Sequence, residues 1–141
     1  MTLWVVDASV IIKWYVPEGD YEAARAMRTA ETALAAPDLL FAETANIVWK
    51  LVRRCEMTSS RGIEIIEEIV AAPFITVSNQ SLAQDALDLA IATGLSAYDA
   101  SYVALAIRID KILITADEKL VRKLTGTRSA NQVRLLADYT N

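Results

Sequence analysis

The chain has 141 residues, 54% of them hydrophobic, and a formal net charge of −4; that length and apolar content suit one domain with a sizeable core, read as residues 1–141. It has no histidine and a single cysteine, Cys55, which excludes Ser-His-Asp and Cys-His catalysis, His-ligated zinc, a thiolate zinc cluster and an intramolecular disulfide. The acidic balance is not the footprint of a generic nucleic-acid binder.

Leu3 to Val6 is a short apolar run ending at Asp7 and reads as a buried strand. A short helix follows in "ASVIIKWYV" and stops at Pro17. Gly19 and Asp20 open a second helix, expected from Tyr21 to Thr32. "ALAAP" reads as a strand, and Asp38 is placed to N-cap a long helix over "LLFAETANIVWKLVRRCE". Thr58 to Ala71 reads as a helix with Ile63, Ile66 and Ile69 or Val70 facing inward. "FITVS" is a strand, and "SLAQDALDLAIATG" a helix closed by Gly94. "AYDASYVALAI" is a very apolar helix, "KILIT" a strand, "EKLVRKL" a helix and "QVRLL" a last strand. Strands alternate with helices and no hairpin signal joins two strands. The expected fold is α/β, with a mostly parallel sheet covered by helices on both faces. No apolar run reaches the roughly 18 residues of a membrane helix. The N-terminus has no basic stretch ahead of its strand, so a cytoplasmic protein without a signal peptide is expected.

Four carboxylates stand out. Asp7 and Asp117 follow predicted parallel strands, at the edge where open α/β sheets bind ligands; a plain helix cap is the competing reading for each. Glu43 lies between Leu40 and Ile47 and so projects from the apolar stripe of its helix, or from that stripe's edge. Asp99 sits near the start of the apolar helix with Tyr102 and Val103 on its face. Ser96 and Asp99 also have the spacing of a capping box. No Lys or Arg lies between Asn79 and Arg108 to pair with Asp99 locally, and a buried unpaired charge is costly. If the four converge, each close pair repels by roughly 3–4 kcal/mol at an effective dielectric of about 20. Such a cluster needs protons or cations. All-oxygen ligands select Mg²⁺ or Mn²⁺, and metal-assisted attack of water on a phosphodiester suits such a site.

The stretches "VVDASV", "PDLLFAETANIVWKL", "GLSAYDASYVALAI" and "ILITADEKL", in that order, resemble the PIN-domain family, and specifically the VapC-type toxins of toxin–antitoxin pairs. The resemblance covers essentially the whole chain. It implies a PIN-like sheet of about five strands and a Mg²⁺- or Mn²⁺-dependent endoribonuclease using one or two ions. Asp7, Glu43, Asp99 and Asp117 match the family's acidic quartet, as catalytic residues and metal ligands. Ser9, Asn46 and Thr115 match supporting positions. The products implied carry a 5′-phosphate and a 3′-hydroxyl. The partners implied are an RNA substrate, a cognate VapB-like antitoxin and a second copy in a homodimer, with no membrane. For RNA contact, Lys50, Arg53 and Arg54 fall together at helical spacing and Lys13 lies near the Asp7 end; an ordinary solvated helix face is the alternative for the first three. Trp14, Tyr15 and Trp49 read as core or dimer interface rather than base-stacking residues, and Cys55 as a passive residue near a helix end.

Two other functions are weighed. A haloacid-dehalogenase-like phosphatase also places an Asp after its first strand, but its second acid would fall where "DAS" has Ser9. A PIN-like binding module without activity would be expected to lose at least one of the four acids.

Overall fold

A computed structural model describes residues 1–140. The strands are β1 (Thr2–Val6), β2 (Thr32–Pro37), β3 (Ile75–Val77), β4 (Leu113–Thr115) and β5 (Val133–Leu135). They form one five-stranded sheet in the order β3-β2-β1-β4-β5, and every pairing is parallel. The helices are α1 (Ala8–Ile11), α2 (Tyr21–Ala26), α3 (Leu39–Arg53), α4 (Ser59–Ala71), α5 (Asn79–Thr93), α6 (Ala97–Arg108) and α7 (Glu118–Leu124).

β1 to β3 step outward on one side of β1, and β4 and β5 step outward on the other. The winding therefore reverses between β1 and β4, the place where parallel α/β sheets open a crevice at their carboxyl edge. β1 and β4 are the buried centre: Val5, Val6, Leu113 and Ile114 have no exposed surface. α6 packs against β1, β2 and β4 on one side and α5 on the other. That sandwiching buries seven consecutive residues, Ala100 to Ala106.

Three local expectations are corrected. α2 ends at Ala26 rather than Thr32, because Thr32 pairs with Thr2 in the sheet and the preceding turn is closed by Thr29 and Thr32, whose hydroxyls lie 3.0 Å apart. Asp38 does not cap its own helix. Its Oδ1 instead accepts from the Asn79 N–H at 3.0 Å, while Asn79 Oδ1 accepts from the Leu39 N–H at 2.8 Å. The first turns of α3 and α5 thus cap each other. In α4 the inward face is Gly62, Ile65 and Ile69, with Ile63 and Val70 exposed and Ile66 half-buried. A Cβ on Gly62 would lie 2.9 Å from Val48 Cγ1 of α3, so the missing side chain sets which face of α4 meets α3. Cys55 is exposed with φ 59°. It follows α3 as the left-handed residue of a Schellman turn: the N–H groups of Cys55 and Glu56 donate to the carbonyls of Val52 and Leu51.

Candidate active site at the carboxyl edge of the sheet

Val6 of β1 is paired with Ile114 of β4, so the next residues, Asp7 and Thr115, face each other as the strands end. Thr115 Oγ1, fully buried, donates to Asp7 Oδ2 at 2.5 Å. Ser9 donates to Asp7 Oδ1 from its hydroxyl at 2.5 Å and from its backbone N–H at 3.1 Å. The two hydroxyl oxygens in turn accept from the N–H groups of Ala116 and Asp117. The motifs "DAS" and "TAD" therefore form one hydrogen-bonded unit across the switch point.

Asp117 is half-buried and N-caps α7, its Oδ1 accepting from the N–H groups of Lys119 and Leu120. Asp7 likewise N-caps α1, and Ser96 Oγ caps α6 by accepting from the Asp99 N–H at 3.1 Å. Capping and clustering are not rivals here: the caps fix the carboxylates at the ends of their elements. Glu43 is half-buried on α3, and the buried Tyr102 hydroxyl reaches across from α6 to donate to its Oε1 at 2.5 Å.

Asp7, Glu43 and Asp99 feel one another's charge, and Asp99 also feels Asp117. Burial pushes the Asp7 carboxyl up from 3.8 to about 6; the Ser9 and Thr115 hydroxyls oppose this, and Asp99 and Glu43 add to it. Burial raises Glu43 as well, with the Tyr102 hydroxyl opposing and Asp99 reinforcing. Asp99 is raised by burial and by Asp117, and lowered by Ser96 and Lys123. Burial and the bond to Glu43 push the Tyr102 phenol up, so it stays a donor. The two ion pairs among the described residues, Arg61–Glu64 and Arg108–Asp85, involve none of the four acids.

Among the described residues, no three Asp, Glu or Cys side chains are gathered tightly enough to hold an ion between them. The donor set nevertheless fits a hard divalent cation. It is carboxylate oxygen only, it carries unneutralised charge, and Mg²⁺ needs just one or two direct carboxylates with water completing its shell.

Of the other expected residues, Ser9 and Thr115 join the site, whereas Asn46 is exposed one turn beyond Glu43. Lys13 donates to the Glu18 carbonyl at 3.0 Å. Lys50, Arg53 and Arg54 are exposed toward the far end of α3, with Arg53 over the Trp49 ring. Trp14 is core: it stacks on Phe74 and its Nε1 donates to the Ala24 carbonyl. Tyr15 is partly buried beside Arg28 and Arg61, and Trp49 is exposed. Two residues tied to the site escape a sequence reading: Tyr102, whose signal is a phenol buried in α6 one turn beyond Asp99, and Lys123.

Residues 4–124 match the PIN domain family. The chain belongs to the PIN-domain family. It is 38% identical over 122 residues to Ribonuclease VapC3 of Pyrobaculum aerophilum, covering 84% of this chain and 92% of that protein. The PIN fold is shared with a crystal structure of PAE2754 from the same organism, with TM-score 0.69 and 23% identity over 96% of this chain and 85% of that one. It is also shared with a chain of a toxin–antitoxin complex from Klebsiella pneumoniae, with TM-score 0.60 and 17% identity over 94% and 97% of the two chains. No single helix among the described residues is long and apolar enough to cross a membrane.

Proposed function

We propose that this PIN-domain protein is a metal-dependent endoribonuclease and the toxin of a VapBC-type pair. The observation that carries the reading is the electrostatic coupling of Asp7, Glu43, Asp99 and Asp117 around the switch point, with the buried Asp7 raised to about 6. A protein gains nothing in stability from such uncompensated carboxylates; a bound cation accounts for them. Similarity to a protein named as a ribonuclease supports the substrate class.

In this reading Asp7 and Asp99 hold the central cation, while Glu43 and Asp117 bind it directly or through water. A bound Mg²⁺ or Mn²⁺ supplies Lewis-acid activation of water and charge neutralisation at the phosphate. The chain's own residues make that chemistry possible by fixing geometry in advance. The Ser9 hydroxyl and N–H on Oδ1 and the Thr115 hydroxyl on Oδ2 hold the plane of the Asp7 carboxylate. Tyr102 stops Glu43 from swinging into solvent. Asp117 is immobilised by its own helix cap. Water adds to phosphorus and gives up a proton to solvent, the bond to the 3′-oxygen breaks and that oxygen takes a proton up, so the products carry a 5′-phosphate and a 3′-hydroxyl.

Exposed apolar side chains on α3, α4 and α5, among them Trp49, Ile63, Leu87 and Ile91, support surfaces for a second copy and for a VapB-like antitoxin. The fold shared with a chain of a toxin–antitoxin complex fits that partner.

The test is cleavage of a mixed RNA pool by chelator-stripped protein, with and without Mg²⁺ or Mn²⁺, beside Asp99→Asn. Metal-dependent cleavage that disappears in the variant is expected. Wild-type protein that never cleaves would leave a binding module.

A further inference from the structure

The site has a problem that its acids create: a polyanionic substrate must approach a cluster of carboxylates on a protein of net charge −4. Phosphate contacts ordinarily come from Lys and Arg. The cations of α3 lie well away, since Lys50 and Arg53 follow Glu43 by about 10 and 15 Å of helix rise, and Lys13 turns to the Glu18 carbonyl ahead of α2 rather than to a loop that carries one of the acids. Lys123 is different. It is an exposed residue of α7, and its ammonium donates to the carbonyl of Gly94 at 3.2 Å. Gly94 closes α5 in the left-handed region, φ 78°. The loop it begins runs directly into Ser96, the cap of the helix that carries Asp99.

The ammonium is thus fixed to the loop that positions Asp99, and its charge reaches that carboxylate. Yet no ion pair joins Lys123 to Asp99 or to any other acid among the described residues. The Gly94 carbonyl takes one of its three donors and keeps the charge near Asp99 without an ion pair to it. An exposed ammonium with donors to spare, anchored to the loop that leads to Asp99, can receive an anionic oxygen.

We propose that Lys123 is a substrate-positioning residue that takes a backbone phosphate of the RNA next to the bond being cut. This rests on the ribonuclease reading above and adds to it the residue that draws the polyanion in.

The experiment compares wild type, Lys123→Gln and Lys123→Arg in steady-state cleavage of the mixed RNA pool with Mn²⁺, from about 50 to 300 mM KCl. Loss of one phosphate contact makes the plot of log kcat/KM against log salt shallower by about 0.7 for single-stranded RNA. Lys123→Gln is expected to show that change with a roughly fivefold rise in KM, and Lys123→Arg to restore most of the slope. The Mn²⁺-induced rise in melting temperature should survive in both variants, since neither removes a carboxylate. A wild-type slope in Lys123→Gln overturns the inference. So does a loss of cleavage accompanied by loss of the Mn²⁺ effect on melting, which would make Lys123 a support for the acids. Wild-type protein that leaves the RNA intact overturns the ribonuclease reading itself, and this inference with it.

Discussion

Replacing Asp7 by Asn separates its charge from its shape, because Asn is as good an N-cap as Asp. In the folded protein the Asp7 carboxyl is raised from 3.8 to about 6. At pH 7.5 its ionisation therefore opposes folding by about 3 kcal/mol, two pKa units at 1.36 kcal/mol each. The sign follows from linkage: a group whose folded value is raised contributes stability below about 3.8 and loses it as pH climbs through about 6. Asp7→Asn escapes that loss. It gives back about 1 kcal/mol, because the amide oxygen takes the Oδ1 place, where the Ser9 N–H and hydroxyl donate, and the Thr115 hydroxyl, which donates to Oδ2, must turn to meet the NH₂. The net gain of about 2 kcal/mol corresponds to about 6 °C in a domain of this size. Calorimetry in chelator at pH 7.5 should show the variant melting higher. At pH 5 the advantage should shrink to roughly a third, near pH 4.5 it should vanish, and below about pH 4 wild type should be the more stable by up to about 1 kcal/mol. With Mn²⁺ the order should reverse, because only wild type gains fully from binding. A variant that melts lower than wild type in chelator at pH 7.5, or by the same margin at every pH, would contradict this account and make Asp7 a structural cap.

Tyr102→Phe removes the hydroxyl that holds Glu43 Oε1; cleavage should fall roughly tenfold, with the loss of one buried hydrogen bond to a charged group, while far-ultraviolet circular dichroism stays unchanged. Gly62→Leu forces side-chain atoms into the space of Val48, whose Cγ1 would lie 2.9 Å from even a first added carbon, and should lower stability by about 1–3 kcal/mol in urea melts. Cys55→Gly relieves a left-handed non-glycine residue at φ 59° and should raise stability by about 0.5–1 kcal/mol in the same melts.

The parallel sheet was legible because its central strands are short apolar runs each followed by a helical segment, and the all-parallel five-strand pairing agrees with that pattern. What failed to read correctly depended on distant parts of the chain. Nothing local stops α2 at Ala26; the ladder with Thr2 does. The apolar arc of α4 is wider than the face it buries, so periodicity could not choose between Ile63 and Ile65, whereas contact between Gly62 and Val48 does. Asp38 has a good position to cap α3, yet its carboxylate serves α5, 41 residues away. At the candidate site the acids announce themselves by position: Asp7 and Asp117 at strand ends, Asp99 in an apolar helix. Tyr102 and Lys123 act on Glu43 and Gly94, 59 and 29 residues away, and sequence spacing carries no signal for such pairs.

The strand order has a consequence for how the protein comes into being. β1 is made before every other strand but ends in the middle of the sheet, with β4 along one edge. The bond from Thr115 to Asp7 joins residues 108 positions apart. At ordinary rates of synthesis, on the order of ten seconds separate the two ends of that bond on the ribosome. Throughout that interval β1 lacks a neighbour on its β4 side, Asp7 lacks its clamp, and Asp117 does not exist. The hydrogen-bonded unit at the switch point therefore cannot assemble until β4 and the turn after it have been translated.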